Sequence, residues 1–404
     1  MCGIICVLSR KADRPAPNRD EVLAALDDGR RLLELRDASR VADAARALVG
    51  ADALLKGEPG VRALVGNREL VAGVSAAVAA MLPMLAAIET DLETADDAHA
   101  IEASAESIAA AKDVLWSLRN DRLRTAREVE ALAGLQATPG ALDGYLAIQQ
   151  ALSAIDRMEV RGRDSAGIGV VVWGHGLTVD RLPAGVAWAD RCDDPLFVSR
   201  SLRVTDDVWT FVYKAAAEIG ELGDNTRAIR KQVLEDDVLR HVLAQPGARV
   251  TLIGHTRWAS VGIISEPNAH PVNHEMTGES SGPYVVAALN GDVDNHADLR
   301  IEHGLRFAHQ ITTDAKVIPA MVNRFAADGV DTVEAFRRTV GAFEGSVAIA
   351  AQSTDDPDRL LIALRGSGQG LMVGVADDLF IVASEPYGVV EETSTYLRLD
   401  GEGS

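Results

Sequence analysis

Met1-Cys2-Gly3-Ile4-Ile5-Cys6-Val7-Leu8 opens the chain, and the rest of the sequence is read outward from it. Ile4 to Leu8 form a short apolar run ended by polar and proline residues, which predicts a buried first strand. Cys2 stands directly before that strand. Methionine aminopeptidase removes Met1 when the next side chain is small, and cysteine qualifies. The mature chain is then expected to begin with a thiol and a free amine on one residue. Such an amine has an unperturbed pKa of about 7.7–8.0. It can act as the base that activates its own thiol. A buried strand would hold both groups rigidly. Alone, Cys2 is also just a small residue after an initiator, so the weight falls on what lies downstream.

From about Asn18 the texture becomes helical. Val22, Leu26 and Leu33 are spaced by four and seven; Val71, Val74, Val78, Leu82 and Leu85 repeat by three and four; so do Ile101, Ala105, Ile108 and Leu115. Pro and Gly punctuate these patterns between Gly57 and Gly60 and at Pro139-Gly140. An all-helical module of antiparallel helices is expected over 12–138. Val71 to Ile88 carries no charge, but it is alanine-rich, contains Pro83 and is flanked by Glu69 and Glu89. Alanine-rich runs insert poorly into bilayers, so a buried helix is preferred to a membrane span. One more helix is expected from Gly140 to Met158. Strand-like runs then dominate: 168–173, 250–254, 284–289, 346–351, 360–364, 371–375 and 379–384. Helical patterns interrupt them over Phe211–Leu243 and Asp314–Arg324. Many strands with few intervening helices predict a layered α+β domain with antiparallel sheets.

The 404 residues include 60 acidic and 40 basic ones, a formal charge of −20. That balance argues against nucleic acid or an anionic membrane as partner. Apolar residues at 47% and charged residues at 25% are those of a folded protein, with aromatics at only 4%. Three cysteines without a CxxC pair exclude a disulfide scaffold and fit a reducing cytoplasm. The first ten residues lack a basic start, so no signal peptide is expected.

Downstream of Cys2 lie Arg161-Gly162-Arg163-Asp164-Ser165-Ala166-Gly167 and Gly254-His255-Thr256-Arg257-Trp258-Ala259. Then come Asn268-Ala269-His270-Pro271, Leu289-Asn290-Gly291 with Asn295-His296, and Thr312-Thr313-Asp314. With Met1-Cys2-Gly3-Ile4, this order resembles the class II glutamine amidotransferases, and most nearly the glutaminase domain of glucosamine-6-phosphate synthase. The amidophosphoribosyltransferase and asparagine synthetase branches are less similar at the arginine–tryptophan and aspartate blocks.

The resemblance implies an N-terminal-nucleophile hydrolase with a four-layer α-β-β-α sandwich, discontinuous over 1–11 and 139–404. The helical module at 12–138 and a smaller stretch at 183–210 would be insertions. It implies hydrolysis of L-glutamine to glutamate and ammonia through a Cys2 thioester, without cofactor or metal. The ammonia would be destined for a sugar phosphate, as in amino sugar biosynthesis, on an acceptor domain absent from these 404 residues. The physical reading of the residues agrees with such roles. A glutamine carboxylate wants a bidentate guanidinium, and Arg257 is the candidate. Its ammonium wants a carboxylate, for which Asp314 is the candidate. The oxyanion needs preset donors, for which Asn290 and Gly291 are placed; alone, Asn-Gly would be a hairpin turn.

Arg161 matches an arginine near the nucleophile, structural as much as substrate-binding. Trp258 matches the start of a mobile loop over the substrate, the alternative being a core tryptophan. Ser260 and Val261 replace the usual Thr-His of that loop, and Arg163 stands where an aromatic is common.

Three signals are set aside. His270 and His274 have metal-ligand spacing, but Pro271 breaks a helix there. Gly366-Ser367-Gly368-Gln369-Gly370 lacks a phosphate-loop lysine and reads as a hairpin loop. Cys192 lies beside Asp193 and Asp194, which disfavour a thiolate. Two readings compete with glutamine hydrolysis: another N-terminal-cysteine amide hydrolase, or a non-catalytic scaffold that binds a partner or forms a homo-oligomer through the helical module.

Overall fold

The computed structural model of the protein describes residues 2–94, 98–216, 221–278 and 281–401, the side chains of 98–100, 103 and 161 excepted. Two compact units result, one of Met1–Arg10 with Thr138–Ser404 and one of Lys11–Ala137.

The first unit holds two antiparallel sheets. Its strands are β1 (Gly3–Ser9), β2 (Ser165–Trp173), β3 (Leu202–Thr205), β4 (Val208–Ala215), β5 (Arg249–Arg257), β6 (Val272–Asn273), β7 (Val285–Gly291), β8 (Val347–Ser353), β9 (Leu361–Arg365), β10 (Gly370–Val375), β11 (Leu379–Ala383) and β12 (Tyr396–Asp400). The eight-stranded sheet runs β12-β10-β11-β1-β5-β2-β4-β3, and the four-stranded sheet β6-β7-β8-β9. β1 is central and paired on both sides, with Cys6 opposite Val382 and Ile253.

Alternation along the strands sorts the side chains into layers. Ile4 and Cys6 of β1, Ile253 of β5, Val286 and Ala288 of β7, and Ala348 and Ala350 of β8 fill the space between the sheets. Val285, Ala287 and Leu289 face the other way, into a core shared with Ile318, Met321 and Phe336. The latter belong to the helices over Val317–Ala327 and Thr332–Gly341. On the outer face of the large sheet, Ile5 and Gly254 meet Ile155 of the helix over Pro139–Met158. The order helix, sheet, sheet, helix is the four-layer arrangement expected from the sequence.

Three local readings are corrected. The helix expected over Phe211–Leu243 begins only at Asp224; Val208–Ala215 is strand β4. Trp209, Phe211 and Tyr213 alternate with Thr210, Val212 and Lys214, and all six are buried because β4 lies inside the sheet between β2 and β3. The aromatics at 209, 211 and 213 keep the period of two that marks a strand, and the helical reading missed it. Residues 202–210, assigned to the smaller insertion, are β3 and the start of β4, and so belong to the sheet. The glycine-rich segment 366–370 is not a hairpin loop: β9 before it and β10 after it lie in different sheets. The helix Thr332–Gly341, capped by Asp331 through the N–H groups of Val333 and Glu334, had no counterpart in the sequence reading.

The second unit is helical: α1 (Arg19–Glu34), α2 (Val41–Leu55), α3 (Gly57–Leu64), α4 (Arg68–Thr94), α5 (Ala98–Ser117) and α6 (Leu123–Ala133). Its core is aliphatic, built from Leu26, Leu33, Leu48, Val74, Met81 and Leu115 among others. α4 is long and apolar enough to cross a membrane by length and composition alone. Its Val74, Val78, Met81, Leu85 and Ile88 lie in this core. A π-helical turn, Leu118–Arg122, joins α5 to α6.

Candidate active site

Strand alternation brings the candidate residues together. Cys2 has the parity of Ile4 and Cys6, His255 and Arg257 that of Ile253, and Asn290 that of Val286 and Ala288. All four therefore point to the space between the sheets, at the end of β1, β5 and β7. In register, Gly3 faces Thr256 and Ile4 faces His255. The approach is tight: a Cβ on Gly3 would lie 2.9 Å from Thr256 Cγ2.

Cys2 Sγ is 3.3 Å from both the backbone N–H and the carbonyl oxygen of Trp258. Burial pushes the Cys2 thiol up from its ordinary value, against the hydrogen bond from Trp258 and the nearby charge of Arg257. Asn290, buried, donates from Nδ2 to the Cys2 carbonyl oxygen at 3.2 Å. Its Oδ1 is 3.0 Å from His255 Nε2. His255 is fully buried and its pKa falls to about 3, through burial first and then Arg257. The ring is thus neutral. For Oδ1 to accept, Nε2 must carry the proton, and this fixes which end of the amide faces Cys2. Gly291 has φ +88, and a Cβ there would meet Ser346 O at 1.9 Å, so the position accepts only glycine.

Arg257 is buried at the end of β5. Its guanidinium donates to the carbonyls of Val261 and, at 3.3 Å, of Ile263, so it supports the loop that follows it. The loop is tied down at three further points. Asp164 accepts from Ala259 N at 2.8 Å, Ser260 Oγ donates to Asp292 Oδ1 at 2.6 Å, and Ile263 N donates to Thr312 Oγ1 at 3.1 Å. Trp258 is 58% exposed, not a core tryptophan. Asp314 is buried and accepts from Val293 N at 2.8 Å. Burial pushes its carboxyl up, opposed by that N–H and reinforced by Asp292. The Thr312–Thr313 turn that carries it is held by Asn268 Oδ1, which accepts from both backbone N–H groups at 2.7 and 2.9 Å. The side chain of Arg161, and Met1, lie outside the described residues.

No family model matches the chain. Over 162 residues it is 35% identical to a glutamine–fructose-6-phosphate aminotransferase (isomerizing) of Geobacillus kaustophilus, a stretch covering 40% of this chain and 26% of that relative. The enzyme of the same name from Staphylococcus epidermidis is 27% identical over 260 residues, 63% of this chain and 34% of the relative. The chain resembles the class II glutamine amidotransferases. It spans between a quarter and about a third of the length of these curated relatives. Among solved structures, glutamine phosphoribosylpyrophosphate amidotransferase from B. subtilis, complexed with ADP and GMP, aligns with a TM-score of 0.39 at 16% identity. The alignment covers 62% of this chain and 42% of that one.

The amidotransferase-like site contains residues that the sequence reading passed over. His255 and Asn268 stood inside quoted motifs without a role, and Asp292 directly follows Asn290-Gly291. Their signal was adjacency to named residues; their partners are distant in sequence. The two demoted histidines serve separately. His270 packs on His255 with ring centroids 4.4 Å apart, while His274 Nδ1 accepts from Val285 N. Among the described residues no cluster of three His, Cys, Asp or Glu could hold a metal.

Proposed function

We propose that the chain hydrolyses the side-chain amide of L-glutamine, with Cys2 as nucleophile. The observation that carries this reading is the Cys2–Asn290 contact, which brings the thiol-bearing residue and an amide N–H donor to one point from sequence positions 288 apart. Because burial keeps the Cys2 thiol protonated near neutral pH, attack needs a base, and the amine freed by removal of Met1 is that base. The thiolate adds to the amide carbon, and the carbonyl electrons move to oxygen. Asn290 Nδ2 and the Gly291 N–H receive that oxyanion. Collapse breaks the C–N bond, and the amine's proton leaves with nitrogen as ammonia. Water then cleaves the Cys2 thioester to glutamate and restores the thiol.

Arg257 has five N–H donors and spends two on loop carbonyls, so donors remain for the substrate carboxylate. Asp314 keeps acceptor capacity for the substrate ammonium beside its bond from Val293. Trp258 and Ser260 lie on the loop that closes over the substrate, and Arg161 is read with them as a substrate-binding residue. The ammonia goes to a sugar phosphate on an acceptor domain or chain, and the reaction is cytoplasmic, in keeping with three free cysteines. The helical unit serves as an interaction element.

The test is intact-mass analysis followed by reaction with diazo-oxo-norleucine, a glutamine-mimicking electrophile. The expected result is loss of Met1 and one label, on Cys2. Label on Cys6 or Cys192, or no label with Met1 removed, would overturn the assignment.

A further inference from the structure

The helical unit contains a cavity of about 600 Å³ between the start of α4 and the π turn with α6. Arg68, Arg119, Arg124 and Arg127 line it, with Glu130 the one acidic residue on its wall. In a chain of net charge −20 this is a local reversal of sign.

The pairing of the arginines sharpens the point. Elsewhere in the unit Arg19, Arg30, Arg31, Arg36, Arg40 and Arg46 each have a carboxylate partner. Arg68 and Arg119 make no ion pair or hydrogen bond with any described residue, and both face the same cavity. Arg124 is oriented by a 2.7 Å bond from Nε to Asn120 O, and Arg127 reaches Glu128 only at 3.4 Å. Glu130 is already engaged, accepting from Gly66 N at 2.9 Å.

The wall is also built rather than incidental. The π turn that presents Arg119 and Asn120 is anchored from beneath by buried Arg122, whose Nε donates to Asp52 at 2.9 Å, and by Ser117 Oγ, which donates to Asp52 at 3.0 Å. Such turns inside helices recur at functional sites. Val71, Ala72 and Leu123 add apolar lining, and Asn67 and Asn120 add neutral polar side chains.

We propose that this cavity binds a small polyanionic phosphate compound, of the size and charge of a nucleotide or another diphosphate ester. Guanidinium forks match phosphate oxygens two at a time. The volume fits a ligand of that size. Net charge decides against a long polyanion. An extended nucleic acid or acidic chain would run over the acidic remainder of the surface, whereas a small ligand feels mainly charges within a Debye length of about 8–10 Å.

The experiment is isothermal titration of the full chain with inorganic pyrophosphate and with ATP, without divalent metal and at physiological ionic strength. Saturable binding with a Kd below about 1 mM is expected. Arg68→Gln with Arg119→Gln should weaken it at least about tenfold, since two charge-assisted contacts are lost. Ser75→Glu, which keeps every arginine and places a carboxylate at the cavity wall, should weaken it as well. Arg30→Gln with Arg46→Gln, outside the cavity, should leave it unchanged. Absence of binding by both probes, or binding by the double variant or by Ser75→Glu as tight as that of the unaltered chain, would overturn the proposal. So would a single-stranded oligonucleotide that binds more tightly than ATP with the same dependence on Arg68 and Arg119.

Discussion

Inside the two-sheet unit, His255, His270, His274, Lys214 and Lys316 are nearly or wholly buried. The helical unit's core is Leu, Val, Ile, Met and Ala, with Arg122 and Asp52 as a buried pair and, at a surface cavity, Arg68 and Arg119, which pair with no described residue. The difference follows from what each unit must do. A site that orients an amide N–H and a thiol needs polar groups held rigidly, and rigidity comes from burial among other polar groups. A helical unit whose proposed chemistry is recognition of charge can bury hydrocarbon and leave the guanidiniums of Arg68 and Arg119 exposed. Substitutions that exchange one unit's character for the other's should therefore have very unequal effects.

The largest expected effect is at the nucleophile. Cys2→Ala should abolish both labelling by diazo-oxo-norleucine and glutamine hydrolysis, leaving the fold intact by circular dichroism. Residual hydrolysis at the wild-type rate would mean another nucleophile. Next comes the proposed oxyanion donor. Asn290→Ala should lower kcat by about 10²–10³, the effect of removing one such donor. His255→Phe should lower kcat by less, with KM for glutamine little changed, because it acts by holding the Asn290 amide the right way round. Since its pKa lies at about 3, His255 should leave no inflection in the kcat profile between pH 5 and 8. A KM effect as large as the kcat effect would remove the positioning role.

The third effect separates binding from loop support. Arg257→Lys keeps the charge but loses the two-pronged geometry, so KM for glutamine should rise about 10- to 150-fold, the worth of a charge-assisted bond of about 1.5–3 kcal/mol. Ser260→Ala loses only the loop's bond to Asp292 and should change KM by less than about threefold. If the two variants behave alike, Arg257 serves the loop and the substrate carboxylate is bound elsewhere.

How much of this was legible beforehand depended on whether a residue's partner was near it in sequence. β1, β5 and β7 are short apolar runs beside a motif, and they were found where the structure has them. Cys2, Arg257 and Asn290 lie together at one end of the sheets, and their roles, with that of Asp314, are those proposed above. Strand β4 was read as helix although Trp209, Phe211 and Tyr213 repeat by two; Val212 between them, buried like the rest, blurs the polar face. His255 went unassigned because its role rests on Asn290, Asp292 because its role rests on Ser260, and Asn268 because its role rests on the turn before Asp314. Such pairs exist only once two sheets are packed. The unpaired arginines of the helical unit were invisible for the same reason: sequence shows charges, not which of them fail to find a partner.

The smallest effect tests the polar core itself. Lys214 is fully buried, its Nζ has no hydrogen-bond partner among the described residues, and it lies 4.9 Å from the centre of the Phe197 ring. Burial, and then repulsion from Lys316, lower its pKa from 10.5 to about 7; Lys316 is lowered to about 7 by burial as well. A pKa depressed on folding means that between these values the unfolded chain binds more protons than the native one. Stability therefore rises with pH above about 7, by about 1.4 kcal/mol per pH unit for each such lysine. Below pH 7 both states are protonated and the native state carries the full cost of the buried charge. The clean window is about pH 7 to 8.5, because Cys6, whose thiol burial pushes far up, begins to oppose the trend once unfolded thiols ionise. Lys214→Met should raise stability at pH 7 and flatten the slope in urea titrations by about 1.4 kcal/mol per pH unit. The helical unit, with its aliphatic core, should show little slope in the same window by hydrogen exchange. An unchanged slope in Lys214→Met would mean that Lys214 stays charged on folding, and that the two units bury polarity more alike than their cores suggest.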